Sequence, residues 1–150
     1  MGIFNAMNAS GSALTAQRLR MDTISSNIAN ADSTRATLNE EGEWEPYRRK
    51  MTVFEPRSGS FDSFLQHASG AKGNSQGVKV TEITEDDEPF KQVFNPNHPD
   101  ANDEGYVEVP NVDPTKEMTD MMSATRSYEA NVTSLNATKG MLMKALEIGR

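Results

Sequence analysis

Cysteine is absent from the 150 residues, which excludes disulfides and zinc–thiolate sites and leaves the redox compartment open. Long apolar runs are missing too, so nothing approaches a membrane span and no direct membrane insertion is expected. The first charge is Arg18, and Asn5 and Asn8 interrupt any apolar core of a secretory signal; the chain therefore reads as lacking a cleaved signal peptide. Met1-Gly2 resembles a myristoylation start, but Ala6 stands where Ser or Thr is wanted. Only 35% of residues are hydrophobic and mean hydropathy is -0.66, so a large self-contained core is not expected.

Net charge is close to zero at both ends and acidic between them. Residues 1–31 are nearly neutral and 111–150 balance, so the whole excess of the formal charge of -7 sits in residues 32–110. Such a balance argues against nucleic-acid binding, which wants a basic face, and against an anionic membrane surface.

Proline is missing from the two ends of the chain. Met118 to Ile148 has none, and Met121, Tyr128, Val132, Leu135, Leu142 and Leu146 follow one alternating four-three ladder, with Thr125 and Lys139 on its remaining rungs. That spacing predicts a helix with a narrow apolar seam. Asp113-Pro114 supplies its start, an acceptor for free amides followed by a residue suited to the first helical position. At 1.5 Å per residue the helix runs roughly 50 Å, long enough to project towards partners. Ile3, Met7, Leu14, Met21, Ile24 and Ile28 form a matching ladder, with Ser10 and Gln17 as polar rungs. It predicts a second helix starting between Ile3 and Ser12 and ending near Asn30 and Asp32-Ser33. Pairing the two gives a coiled-coil-like hairpin whose seam is too polar to be very stable alone.

Between the helices the texture changes. Tyr47 to Glu55 reads as a strand, Val78 to Ile83 and Phe90 to Phe94 as two more, and Tyr106 to Val109 as another. Phe61 to Ala68 is ambiguous, and Ser69 to Gly77 has the composition of a loop. The expected fold class is therefore α+β: long N- and C-terminal helices packed as a hairpin, residues 1–31 and 111–150, with a small β-rich domain of three or four strands inserted at 32–110.

Chemistry finds little support. Asp100 to Gly105 imitates the start of a calcium loop, but its twelfth position is Asn111 rather than a bidentate acid. An Asx-rich turn before the Tyr106 strand explains the same residues. Glu85-Asp-Asp-Glu88 reads as a solvated turn without a basic partner. His67 and His98 have no second ligand at metal spacing. No nucleophile elbow, phosphate loop or dinucleotide fingerprint is present. Catalysis, cofactors, metals and small-molecule substrates are not expected. Tyr47-Arg-Arg-Lys50 reads as a basic patch on an edge strand, available to an acidic neighbour. The methionines of the second helix suit a packing seam or an adaptable partner surface, and Gly140 suits a close contact or a bend.

Several stretches carry a resemblance. Ser26-Asn-Ile-Ala-Asn-Ala31 at the end of the first helix, with a matching C-terminal helix, resembles the signature of the bacterial flagellar axial proteins. Pro46 to Lys50, Val93 to Ala101, Glu104 to Val107, Pro110 to Asp113 and Arg126 to Val132 resemble the proximal-rod branch of that family. Many rod and hook relatives continue the signature with Thr-Pro-Gly-Tyr, whereas here Asp32-Ser-Thr-Arg-Ala36 follows.

The resemblance implies a structural subunit of the flagellar basal-body rod, the drive shaft crossing the cell envelope. Its terminal helices would assemble helically around the export channel and transmit torque. The implied partners are other copies of the chain, other rod subunits and the flagellar type III export apparatus. On the residue level the expected assembly interface is Met7, Leu14, Met21, Ile24, Asn27, Ile28 and Asn30 with Met121, Tyr128, Val132, Leu135, Leu142 and Leu146. Asn27 and Asn30 suit helix ending or inter-subunit hydrogen bonds equally. A soluble helical adaptor or export chaperone that binds one partner helix is the alternative reading.

Overall fold

The computed structural model describes residues 3–39, 42–57 and 77–149. Their order is α1 (Ile3–Ala29), β1 (Thr37–Leu38), β2 (Trp44–Glu45), β3 (Lys50–Pro56), β4 (Val78–Glu85), β5 (Lys91–Phe94), β6 (Tyr106–Val109) and α2 (Pro114–Ile148). This is an α+β fold, with a helix at each end and strand pairs between them. Phe61 to Ala68, including His67, and the expected loop up to Gly77 lie outside the described residues, Gly77 itself excepted.

Both helices form where their ladders and end signals put them. The Asp113 carboxylate accepts the Thr115 N–H at 2.9 Å, and the Asp113 carbonyl accepts the Glu117 N–H at 2.9 Å. Asp113 is thus the cap and Pro114 the first helical residue. α1 ends at Ala29, and Asn30 Nδ2 returns to the Ser26 carbonyl at 2.9 Å.

The strands pair two by two: β1 with β2, β3 with β4, β5 with β6. The β1–β2 pair has no counterpart in the sequence pattern, because two residues per strand are too few to show a period. Its turn is built by Asn39, whose side chain accepts the Glu43 N–H at 2.8 Å, and by Gly42 at φ +82°. β5 and β6 are antiparallel, with Phe94 opposite Tyr106 and Lys91 opposite Val109. In their connecting turn Asn102 Oδ1 accepts the N–H groups of Glu104 and Tyr106, which is the Asx turn expected there.

The described residues separate into two compact units. One comprises those within Met1–Arg20, Val53–Glu82 and Ala124–Arg150. There Ser12 Oγ donates to the Ala9 carbonyl (2.8 Å) and accepts the Val78 N–H (3.1 Å), which fastens the start of β4 to α1. Gly77 makes this approach possible. It sits at φ +120°, and a Cβ there would collide with Ser12 Oγ and lie 3.1 Å from Ser12 Cβ. The other unit comprises those within Met21–Thr52 and Ile83–Ser123. Its buried residues are Thr23, Ile24, Asn27, Pro46, Tyr47, Gly105, Val107, Pro110, Asn111, Val112 and Glu117, a core in which polar side chains stand beside the aliphatic ones.

Gly77→Ala combines an unfavourable φ with that collision and should cost about 1–3 kcal/mol. Urea unfolding of the purified chain, followed by the exchange of the Val78 amide, measures it; an unchanged midpoint would contradict the contact.

Candidate assembly site and its buried polar latch

Two of the stretches that carry the family resemblance, Ser26–Ala31 and Pro46–Lys50, meet at Asn27. This side chain, 1% exposed, comes from the last turns of α1. Its Nδ2 donates to the Lys50 carbonyl at 2.9 Å and to Glu117 Oε2 at 3.0 Å. Its Oδ1 accepts the Lys50 N–H at 2.9 Å and the Tyr47 hydroxyl at 3.1 Å. Both donors and both acceptor positions of the amide are thereby used, so burial leaves nothing unpaired.

Glu117 completes the arrangement from the first turn of α2. It is 0% exposed, and Oε1 accepts from Arg49 Nε at 2.7 Å. Arg49 also reaches Asp86 at 3.2 Å and Asp120 at 3.7 Å. Burial of the guanidinium works against its charge, yet the Glu117 and then the Asp86 carboxylates outweigh that cost and raise its pKa. The Arg49 backbone is held as tightly: its N–H donates to Asn111 Oδ1 (2.8 Å) and its carbonyl accepts the Asp86 N–H (2.8 Å). Asn111 Nδ2 in turn donates to the Glu88 carbonyl at 3.0 Å. The latch so formed ties the end of α1, the entry to β3, the 86–88 turn and the start of α2.

Two sequence expectations change here. Tyr47 to Lys50 is not one basic face: Arg49 turns inward to Glu117, and Arg48 lies over the Phe90 ring at 4.5 Å. The acidic run at 85–88 does have a basic partner, since Asp86 binds Arg49. The Glu88 N–H, and then Arg49 against the opposing effect of burial, hold the Asp86 carboxyl below the usual carboxylate range. β3 begins at Lys50 rather than Tyr47 because residues 47–49 are committed to this network.

The calcium-like loop is also occupied by protein. Arg35 Nε donates to Asp100 Oδ1 at 2.7 Å, the Arg35 Nη2 group adds a second bond, and Thr34 Oγ1 donates to Oδ2 at 2.9 Å. Arg35 is the leading cause that holds the Asp100 carboxyl below its usual range. Asn111, the twelfth position, is spent on Arg49. Among the described residues no group of three or more His, Cys, Asp or Glu gathers as a metal site.

Of the residues expected at the assembly interface, Asn27 and Ile24 are buried. Met7, Leu14, Met21, Ile28, Asn30, Met121, Tyr128, Val132, Leu135 and Leu142 are half-buried, and Leu146 is 75% exposed. Met7 and Leu14 share a unit with Tyr128, Val132, Leu135, Leu142 and Leu146; Met21, Ile24, Asn27, Ile28 and Asn30 share the other with Met121. Among the described residues a Cβ at Gly140 would meet nothing within 4 Å, so no close contact among them requires that glycine. Glu117, and its pairing with Arg49, escaped the sequence reading. The available signal was an acid in the first helical turn, but its partner lies 68 residues away.

Comparison with known proteins gives concordant matches. The family profile described as "Flagella basal body rod protein" matches residues 7–37, and that described as "Flagellar basal body rod FlgEFG protein C-terminal" matches residues 103–148. The chain is 60% identical to the flagellar basal-body rod protein FlgC of Bacillus subtilis (strain 168), with all of both chains covered. It is 42% identical to that of Borreliella burgdorferi, covering 99% of this chain and 98% of the relative. It is 41% identical to that of Escherichia coli O6:H1, again over the full length of both.

Removing one member of a buried charged pair strands the other, so Glu117→Ala should destabilise the Met21–Thr52 and Ile83–Ser123 unit by about 3–5 kcal/mol. Exchange of the Lys50 amide, bonded directly to Asn27, reports it; protection equal to wild type would contradict the latch. The pH response has a definite sign. Asp86 and Asp100 titrate lower folded than unfolded, so their contribution is complete above the ordinary carboxylate pKa of about 3.9 and lost as pH falls through the lowered folded values. In urea unfolding, Asp86→Asn with Asp100→Asn should flatten the acid limb of the stability–pH curve. Parallel curves for variant and wild type would contradict these pairings.

Proposed function

The chain belongs to the FlgC family of flagellar basal-body rod proteins, and from that membership we propose that it builds the proximal part of the rod by helical assembly through α1 and α2. It is a structural subunit of the flagellar basal body and assembles with other rod components. Its family is structural rather than enzymatic. The alternative of a soluble adaptor or export chaperone draws no support from these relatives, all of which are named rod proteins.

The observation that carries the finer reading is the contrast between the latch and the helices that leave it. Where α1, β3 and α2 meet, every polar group of Asn27 is satisfied. Along the helices, Phe4, Met118, Met122, Met141, Met143, Leu146 and Ile148 are exposed. Single exposed apolar residues are ordinary, but a set of them along two long helices suits burial by neighbours. In this reading residues 1–31 and 111–150 form the rod core around the export channel and carry torque, and residues 32–110 face outward. The partners are further copies of the chain, other rod subunits and, during delivery, the type III export apparatus. The ladder residues Met7, Leu14, Met21, Ile28, Met121, Tyr128, Val132, Leu135, Leu142 and Leu146 are the interface, while the buried Ile24 and Asn27, with Asn30, fix the end of α1 within the chain. Diluted seams leave the isolated helices weakly packed, so ordering is completed on assembly.

Leu135→Asp puts a charge on the seam at a half-buried position. It should abolish recovery of the chain in detergent-extracted basal bodies and abolish motility, while amide protection around Asn27 and Lys50 persists in the purified protein. Normal rods and swimming in that variant would overturn the assembly role of α2, and a wild-type chain that washes away from basal bodies would favour an adaptor.

A further inference from the structure

Sulfur occurs in this chain only as thioether, with nine methionines and no cysteine. Assembly uses methionine as apolar bulk and leaves its sulfur chemistry unused. That sulfur is soft and polarizable, and a two-electron oxidant that can reach it converts it to the sulfoxide. Reach is therefore what decides which methionines react.

Met118, Met122, Met141 and Met143 of α2 are 56%, 55%, 60% and 55% exposed. Met118 and Met122 stand four residues apart and share a face of the helix. Met121, beside Met122 in sequence, is half-buried, so the same turn of helix carries its own slow-reacting control. At the far end of α2, every residue from Lys139 to Gly149 is exposed except the half-buried Leu142. Met141 and Met143 are thus both open although they leave the helix on different sides. Met7 and Met21 of α1 are half-buried, and Met51 of β3 is 37% exposed, between the two groups. The latch side chains Asn27, Tyr47, Arg49, Asp86, Asn111 and Glu117 contain no sulfur. Oxygen added to the surface of α2 therefore leaves their hydrogen bonds in place.

We propose that Met118, Met122, Met141 and Met143 are sites of reversible sulfoxidation in the unassembled chain, with a hydroperoxide as the oxidant. A sulfur lone pair attacks one oxygen of hydrogen peroxide; the S–O bond forms as the O–O bond breaks. The proton of the attacked hydroxyl passes to the departing one, which leaves as water, and the thioether is oxidised by two electrons. The product is a polar, chiral side chain that methionine sulfoxide reductases, one for each epimer, return to the thioether. The consequence for assembly rests on the rod-subunit reading. Sulfoxides replace apolar by polar surface along α2, so an oxidised chain keeps its latch and loses its fitness to join the rod until it is reduced.

The test treats the purified full-length chain with hydrogen peroxide and follows each methionine by peptide mass spectrometry. Positions 118, 122, 141 and 143 should gain one oxygen several-fold faster than 7, 21 and 121. Equal rates at Met121 and Met122 would overturn the assignment. Amide exchange at Lys50 should stay as slow in the oxidised chain as in the untreated one; its loss would show that oxidation opens the latch and would overturn the surface reading. Reductases for both epimers should then remove the added oxygen, and oxygen that persists would overturn reversibility. For assembly, Met118→Gln, Met122→Gln, Met141→Gln and Met143→Gln together imitate the polar product, and the matching Leu set keeps apolar volume. With Lys50 protected in both purified variants, the Gln chain should be depleted from detergent-extracted basal bodies and the Leu chain recovered. Equal recovery would overturn the effect on assembly. Absence of the wild-type chain from basal bodies would instead overturn the rod reading, while the order of reactivity in the purified chain would stand.

Discussion

A carboxylate and an amide that have both lost their water set the terms for the rest of the fold. Glu117 and Asn27 are buried almost completely and bonded to one another at 3.0 Å. Neither is tolerable inside a protein without partners, because an unpaired buried polar group costs about 1–3 kcal/mol and a charge more. Arg49, Tyr47 and the Lys50 backbone supply those partners, and Asn111 and Asp86 fix Arg49 in turn. The entry to β3 therefore cannot shift relative to the end of α1 or the start of α2 without exposing this network to a cost it cannot recover. An apolar contact at the same place would permit sliding; directional hydrogen bonds specify one register.

That division of labour suits a subunit of a filament. A self-contained core would use the apolar residues within the chain, whereas here several of the largest remain exposed on α1 and α2. Polar geometry defines the shape of the Met21–Thr52 and Ile83–Ser123 unit, and the proposed assembly role is assigned to the apolar surface left exposed. The absence of cysteine fits this arrangement chemically, since no disulfide substitutes for the latch.

The local signals in the sequence were the readable ones. Asp113-Pro114 located the start of α2, the Asn30 region located the end of α1, and Tyr106–Val109 appeared with the bounds expected. Periodicity identified which residues lie along each helix. What it could not convey was pairing across long separations. Arg49 and Glu117, Asn27 and Lys50, and Arg35 and Asp100 are each brought together by the fold, and each member alone looks like an ordinary surface residue. The stretch Asp32 to Ala36, a departure from many rod and hook relatives when read along the chain, acquires a use once Thr34 and Arg35 are seen on Asp100. β1 and β2 stayed hidden for a different reason, being shorter than any period.

The central claim is that the latch is complete in the single chain while the apolar residues of the helix ends wait for neighbours. Hydrogen exchange compared between the purified chain and the same chain in isolated basal bodies tests it most directly. The account predicts amides at Lys50 and Asp86 protected in both states, and amides near Phe4 and from Met141 to Ile148 protected only in the basal body. Equal and strong protection of those helix ends in the isolated chain would contradict it.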